Sequence, residues 1–314
     1  MMKQVTVLGA TGGVGYALTK ELLSRGMEVV AFARTKSKLT AMFGGNKKVQ
    51  LISGDVLKET DLLAAVRGSD AVYHAVNFPY QQWEEKQMVC LNRLIAHAEN
   101  TNMSLILADN IYAYGDKDSY VAETSKKEPS TKKGTIRLQM EQQLLESTTP
   151  ALIVHLPDLY GPYAVNTLLH ETLRNAVVGK KANYIGCPTI KREFLYTLDA
   201  AKAIVDLSFQ NRVYNQVWNV SGVTIRGEDL LQLIRKETRT TKGFRVVKKR
   251  MIRLLGILSP QMRELVEMMY LTERPVYLNS EKLVNELDYW QPTSFEVGLR
   301  ETIKELRNES IQSL

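Results

Sequence analysis

Cysteine is almost missing from this chain: Cys90 and Cys187 are the only two among 314 residues. They lie far apart, so neither a disulfide framework nor a metal-ligand pair is expected, and reduced thiols in the cytoplasm follow. Long apolar runs are missing too, and no stretch reaches the roughly 18 uninterrupted apolar residues of a membrane span. The first residues run straight into a strand pattern without a basic flank, apolar stretch and cleavage site, so no secretory signal is expected. His74, His97, His155 and His170 have no i, i+4 pairing suited to a metal, and no Gly-x-Ser-x-Gly elbow occurs. No metal is expected. Repeats and low-complexity tracts are also lacking.

What is present suits a globular protein with a full core: 44% hydrophobic and 24% charged residues, in a length that favours two unequal lobes. The formal charge is +7. Basic residues recur in scattered pairs such as Lys47–Lys48, Lys126–Lys127 and Lys180–Lys181. No nucleic-acid motif accompanies them, so no nucleic acid partner is expected; an anionic cofactor and a small anionic substrate account for the excess more simply. Residues 244–258 mix Lys248, Lys249, Arg250 and Arg253 with apolar side chains. That segment is assigned to covering the smaller lobe or a partner subunit rather than to a membrane.

Periodicity orders the first half. Val5-Thr6-Val7-Leu8 is a strand that runs into Gly9, and Val14, Ala17, Leu18, Leu22 and Leu23 follow at helical spacing up to Gly26. Further strands are expected over 28–33, 49–53, 71–76, 104–108 and 151–156, and helices over 61–66, 84–100 and 135–146. Alternation of this kind implies a doubly wound α/β parallel sheet. Beyond Pro157 the pattern is less regular. Helices are expected near 165–178, 198–209, 227–237, 246–257, 260–270 and 295–307, with short strands near 182–185 and 216–220. The reading is a dinucleotide-binding domain over residues 1–160 and a smaller α/β substrate lobe over 161–314, interleaved with the last elements of the sheet.

Gly9-Ala10-Thr11-Gly12-Gly13-Val14-Gly15 places G-x-x-G-x-x-G between a strand and a helix. The first glycine permits the tight turn, the middle one lets backbone approach a pyrophosphate, and the last lets helix pack on strand. Free amides and the helix dipole then face the phosphates. Arg34 ends the second strand, where an acidic residue would hold an NAD ribose. It can pair a 2′-phosphate instead, with Lys36 and Lys38 adding charge, so NADP is expected over NAD on the order of 10-fold. Asp55 and Val56 follow the third strand, and Asp55 can accept from the adenine amino group.

These residues resemble the short-chain dehydrogenase/reductase superfamily, in its extended epimerase/dehydratase-like branch. The likeness continues through Asp70-Ala71-Val72-Tyr73-His74-Ala75-Val76-Asn77, Ile111-Tyr112-Ala113-Tyr114-Gly115, Pro157-Asp158-Leu159-Tyr160-Gly161-Pro162 and the run from Glu193 to Ala201. It implies a Rossmann fold, cofactor contacts at Ala75, Val76, Asn77 and Pro157, and homodimers through helices at about 84–100 and 135–146. It also implies a serine, a tyrosine and a lysine for catalysis, the last two spaced Y-x-x-x-K. Here the chain departs. Counting from Tyr114-Gly115 puts Asn110 at the serine, and anchoring on Glu141 puts Lys133 at the tyrosine and Arg137 at the lysine. Arg137 cannot shuttle protons. Tyr16-Ala17-Leu18-Thr19-Lys20 has the spacing but lies at the pyrophosphate end and is read as chance. Tyr112, Tyr114 and Tyr160 are expected near the sheet's carboxyl edge, with Tyr114 the first choice as substitute acid. Glu264, Glu267, Met268 and Tyr270 share a helix face that could line the cleft. Two functions follow: an NADP-dependent reductase or epimerase/dehydratase-like enzyme on a small carbonyl or sugar-nucleotide substrate, or a non-catalytic NADP(H) redox sensor.

Overall fold

The computed structural model describes residues 2–312. Seven strands form one sheet: β1 (Gln4–Leu8), β2 (Glu28–Ala33), β3 (Val49–Ser53), β4 (Ala71–His74), β5 (Ser104–Asn110), β6 (Ala151–Leu156) and β7 (Gln216–Asn219). Their order is β7-β6-β5-β4-β1-β2-β3, and every pairing is parallel. Parallel strands covered on both faces read as continuous apolar runs, which is why β2 and β6 are nearly uninterrupted in Val, Ile, Leu, Ala and Phe.

One face carries the helices Gly13–Ser24, Lys36–Phe43 and Thr197–Ser208, the other Glu59–Val66, Trp83–Ala98 and Lys132–Glu146. Leu18 and Leu22 on one side, and Leu91 and Leu94 on the other, are fully buried against the sheet. Each contributes about 1.5–3 kcal/mol. The strand order reverses between β1 and β4, which is the topological switch point of the doubly wound Rossmann fold, where ligands bind beyond the carboxyl ends of the strands.

The smaller lobe is built on a three-stranded sheet of Asp158–Tyr160, Lys191–Tyr196 and Val223–Arg226. Its core stacks Tyr160 on Phe295 at 4.5 Å between centroids. The chain returns to the large sheet twice, as the helix Thr197–Ser208 and as β7. Glu193 ties the lobe down: its two carboxylate oxygens accept the amides of Gly222 at 2.8 Å and Leu278 at 2.9 Å. Burial pushes its carboxyl up to about 7. One expected helix is corrected. Residues 246–257 do not form a single helix, because Phe244–Val247 pairs as a strand with Ala182–Ile185 and the helix starts at Lys249. The Val246-Val247 pair suits a pleated surface better than a helix.

Candidate functional site

The glycine loop runs from the end of β1 into the helix Gly13–Ser24. The amides of Gly9 and Ala10 both donate to the Phe32 carbonyl, at 2.9 and 3.0 Å, which pins the turn to β2. Gly15 packs so tightly that an added Cβ would stand 2.1 Å from the Gly9 carbonyl oxygen. Gly12 is the opposite case: a Cβ there meets nothing nearer than 3.5 Å. Space beside Gly12 is therefore open while the rest of the turn is filled. Gly13 backs onto Ala164 of the smaller lobe, and Val14 packs into the core, while Thr11 is half-buried on the loop. Among the described residues, the amides of Gly13, Val14 and Gly15 have no acceptor. The helix has no side-chain cap and no acidic residue in its first turn, so its positive end is uncompensated.

Arg34, Lys36 and Lys38 are exposed at the end of β2; among the described residues Arg34 and Lys36 have no ion-pair partner, while Lys38 lies in the field of Glu309. Asp55 accepts the Leu57 amide at 2.9 Å, a turn contact that leaves its second oxygen free, and Val56 beside it is buried. Ala75 extends β4 by donating to the Leu8 carbonyl, and Pro157 is buried beyond β6. Val76 donates to His74 Nδ1 at 3.3 Å. Burial, together with the Arg137 charge, pulls the His74 pKa down to about 3. Tyr16 packs edge-on against Tyr163 at 4.5 Å, with Lys20 over its ring, so Tyr16 and Lys20 serve packing.

At the other end of the cleft the cations are all paired. Lys133 is buried, and its ammonium reaches Glu264 at 2.5 Å and Glu267 at 2.6 Å on the helix Pro260–Met268. The Arg137 guanidinium lies 3.2 Å from Asp109 and donates to the side-chain Oδ1 of Asn77 at 3.5 Å, over the Trp83 ring at 4.3 Å. Burial pushes the Asp109 carboxyl up, and Arg137 opposes that shift. The structure thus brings buried Asp109 and Arg137 together with exposed Asn77, and buried Lys133 together with half-buried Glu264 and Glu267. Asn110 accepts the Tyr112 amide at 3.0 Å, and its amide nitrogen keeps no acceptor among the described residues.

The tyrosines fall in three places. The Tyr80 and Tyr112 hydroxyls are 2.7 Å apart beside Lys133, which sits 5.3 Å over the Tyr80 ring. Burial pushes Tyr80 up to about 12 and Tyr112 well above the usual phenol range. Tyr114, expected at the cleft mouth, is instead fully buried. Its hydroxyl donates to Asn219 at 2.9 Å and lies 3.2 Å from His155. His155 continues to Glu141 at 2.9 Å, and Glu141 to Lys127. Burial works against the Glu141 carboxylate, but His155 and Lys127 outweigh it and hold its pKa low. Tyr114 is therefore a buried link between β5 and β7, because the short helix Ile111–Tyr114 turns it inward. Tyr160 is likewise in the small-lobe core. Sequence reasoning missed Tyr80 and Asp109. Asp109 stood in the sequence as a charge inside an apolar strand, a signal for a buried pair.

Among the described residues, no helix is long and apolar enough to cross a membrane. Residues 5–221 match the family described as NAD dependent epimerase/dehydratase. An oxidoreductase ordB of Dothistroma septosporum is 42% identical over 83 residues, which cover 25% of this chain and 31% of that protein. The chain spans under a third of the length of the curated relatives it matches first. Two solved structures align over nearly all of both chains. UDP-glucuronic acid 4-epimerase from Bacillus cereus, in complex with NAD, has a TM-score of 0.80 at 18% identity, covering 98% of this chain and 99% of that one. dTDP-glucose 4,6-dehydratase from Bacillus anthracis, also in complex with NAD, has a TM-score of 0.81 at 18% identity and covers 98% of each. At that identity the two structures speak for the fold. The family match runs from the first strand of the sheet through its seventh, across the glycine turn and the switch point: this chain belongs to the NAD dependent epimerase/dehydratase family.

Proposed function

We propose that the protein binds a nicotinamide dinucleotide, NADP(H) in preference to NAD(H), and acts on a small carbonyl or sugar-nucleotide substrate. The observation that carries this reading is the open face at Gly12 beside three amides that, like Arg34 at the end of the neighbouring strand, have no partner among the described residues. When bound, such a cofactor supplies hydride exchange with a substrate carbon that bears oxygen. The Gly9–Gly15 turn would hold the diphosphate. Arg34 and Lys38 would hold a 2′-phosphate, and Asp55 and Val56 the adenine. Ala75, Val76, Asn77 and Pro157 would border the ribose and nicotinamide. The two solved neighbours, a UDP-glucuronic acid 4-epimerase and a dTDP-glucose 4,6-dehydratase, support sugar nucleotides as the substrate class. Both hold NAD; the NADP preference rests on Arg34 and the lysines beside it.

At the substrate oxygen, the free amide nitrogen of Asn110 donates a hydrogen bond. The Tyr112 hydroxyl, backed by Tyr80, moves the proton in place of Tyr114. Lys133 and Arg137, each held by carboxylates, act through charge and position. Dimerisation through Trp83–Ala98 and Lys132–Glu146, which pack side by side, belongs to the same reading. Fluorescence titration with NADPH and NADH tests the cofactor, and chromatography of UDP- and dTDP-sugars incubated with the protein tests turnover. Tighter NADPH binding and a converted sugar are expected; no affinity for either nucleotide would overturn the reading. The locked state of Lys133 and Arg137 favours one alternative, a redox sensor without turnover. It is distinguished by tight NADPH binding, no product from any sugar, and hydrogen-exchange differences between oxidised and reduced complexes.

A further inference from the structure

The helix Lys249–Leu258 leaves its outer face uncovered. Ile252 and Gly256 are buried, and Gly256 lies so close to the helix Pro260–Met268 that an added Cβ would stand 3.1 Å from Arg263 Cα. On the outer side Met251 is 39%, Leu254 67%, Leu255 53% and Ile257 70% exposed. These four are the densest run of large exposed apolar side chains among the described residues. Arg250 and Arg253 flank them, exposed and without an ion-pair partner among the described residues.

Charge is distributed just as unevenly. Residues 240–263 hold seven of the chain's 41 Lys and Arg and none of its 34 Asp and Glu. The other 34 cations balance the 34 acids, so the formal +7 belongs to this one segment. A surface seldom gathers a chain's whole net charge within 24 residues and sets four exposed large apolar side chains on the helix among them. Apolar side chains outermost, with arginines at their flank, are the arrangement of a helix that lies in the plane of a lipid interface.

We propose that the helix Lys249–Leu258 docks the protein on an anionic lipid surface, its apolar face among the acyl chains and its cations at the headgroups. This replaces the sequence-based expectation of no membrane contact and does not depend on the cofactor reading. A nucleic acid would meet the same charge but would leave Leu254 and Ile257 in water. A second copy docked two-fold on the same face would set this segment's excess of cations against an identical excess, with no acid in 240–263 to offset it.

Flotation of the purified full chain with phosphatidylcholine vesicles, with and without phosphatidylserine, tests this. Binding is expected only with phosphatidylserine, and it weakens as salt rises. Arg250→Gln and Arg253→Gln each lower vesicle affinity on the order of 5-fold. Leu254→Glu combined with Ile257→Glu abolishes flotation while the melting temperature holds. If that double variant melts early, Leu254→Ser serves in its place. No flotation with either vesicle overturns the proposal. Flotation that ignores the Leu254 change also overturns it, because charge alone would then be acting. A concentration-dependent dimer dissolved by Leu254→Glu, without flotation, assigns the face to a second copy and likewise overturns it.

Discussion

At the glycine end of the cleft, the amides of Gly13, Val14 and Gly15 and the guanidinium of Arg34 have no partner among the described residues, whereas at the far end Lys133 meets two carboxylates and Arg137 meets Asp109. Free donors beside open space are what an incoming anion needs, and they hold the fold together hardly at all. Paired buried charges do the reverse. They are strongly coupled to the fold, and removing one partner strands the other in a place water cannot reach. The difference predicts opposite responses to substitution at the two ends.

The largest effect is expected at Asp109. Asp109→Ala leaves the Arg137 charge buried without its carboxylate, which costs about 3–5 kcal/mol. Urea unfolding of the variant checks it. A loss below about 1 kcal/mol would mean that Arg137 is not held by this pair, and the contrast between the two ends would fail.

Gly12→Ala should do the opposite. Its new methyl meets only the Gly9 oxygen at an ordinary 3.5 Å, so the melting temperature should hold. The methyl does occupy the space beside the free amides. Losing one charge-assisted contact there, about 2 kcal/mol, weakens NADPH binding roughly 30-fold by titration. Gly15→Ala is the control: its methyl would stand 2.1 Å from the Gly9 oxygen, and the fold itself should suffer. Equal behaviour of the two variants would remove the distinction between binding glycine and packing glycine.

The glycine end could be read from sequence because its rules are local. A strand, a turn with glycines at fixed offsets and a helix start all lie within a dozen residues, and the sheet order follows from the alternation that surrounds them. The far end could not be read this way. Lys133 is paired by residues more than 130 positions later, and nothing near it announces Glu264 or Glu267 beyond their sharing a helix face. Tyr114 was misplaced for the same reason: whether the phenol at the end of β5 faces cleft or core is decided by Asn219 and His155, both distant in sequence. The strand at Phe244–Val247 was hidden because a short apolar run fits either period until its partner at Ala182–Ile185 is known.

Arg34 sharpens the comparison from the binding side. It is exposed, so Arg34→Asp should leave stability within about 0.5 kcal/mol. The carboxylate repels a 2′-phosphate and accepts from a ribose hydroxyl. The ratio of NADP to NAD affinity should therefore fall at least about 10-fold in paired titrations. An unchanged ratio would take Arg34 out of the site.

His74 stands at the end of β4 with properties of both ends, and near neutral pH its effect is the mildest. Nδ1 accepts the Val76 amide, which puts the proton on Nε2, and Nε2 is buried without a partner among the described residues. Burial first, and the Arg137 charge second, keep the ring neutral with a pKa of about 3 against 6.5 when free. The sign follows from proton counting. Between pH 6.5 and 3 the unfolded chain binds a proton at this residue that the folded chain refuses, so folding stability declines as pH falls through that window. The slope from this one residue is at most about 1.4 kcal/mol per pH unit. Other buried groups titrate in the same range, so the informative quantity is the difference between the protein and His74→Gln in unfolding experiments at several pH values. Glutamine carries no charge in either state, and the variant's stability should decline less steeply on acidification. Parallel curves for the two proteins would show that His74 protonates as readily folded as free, and that the Arg137 charge is screened from β4.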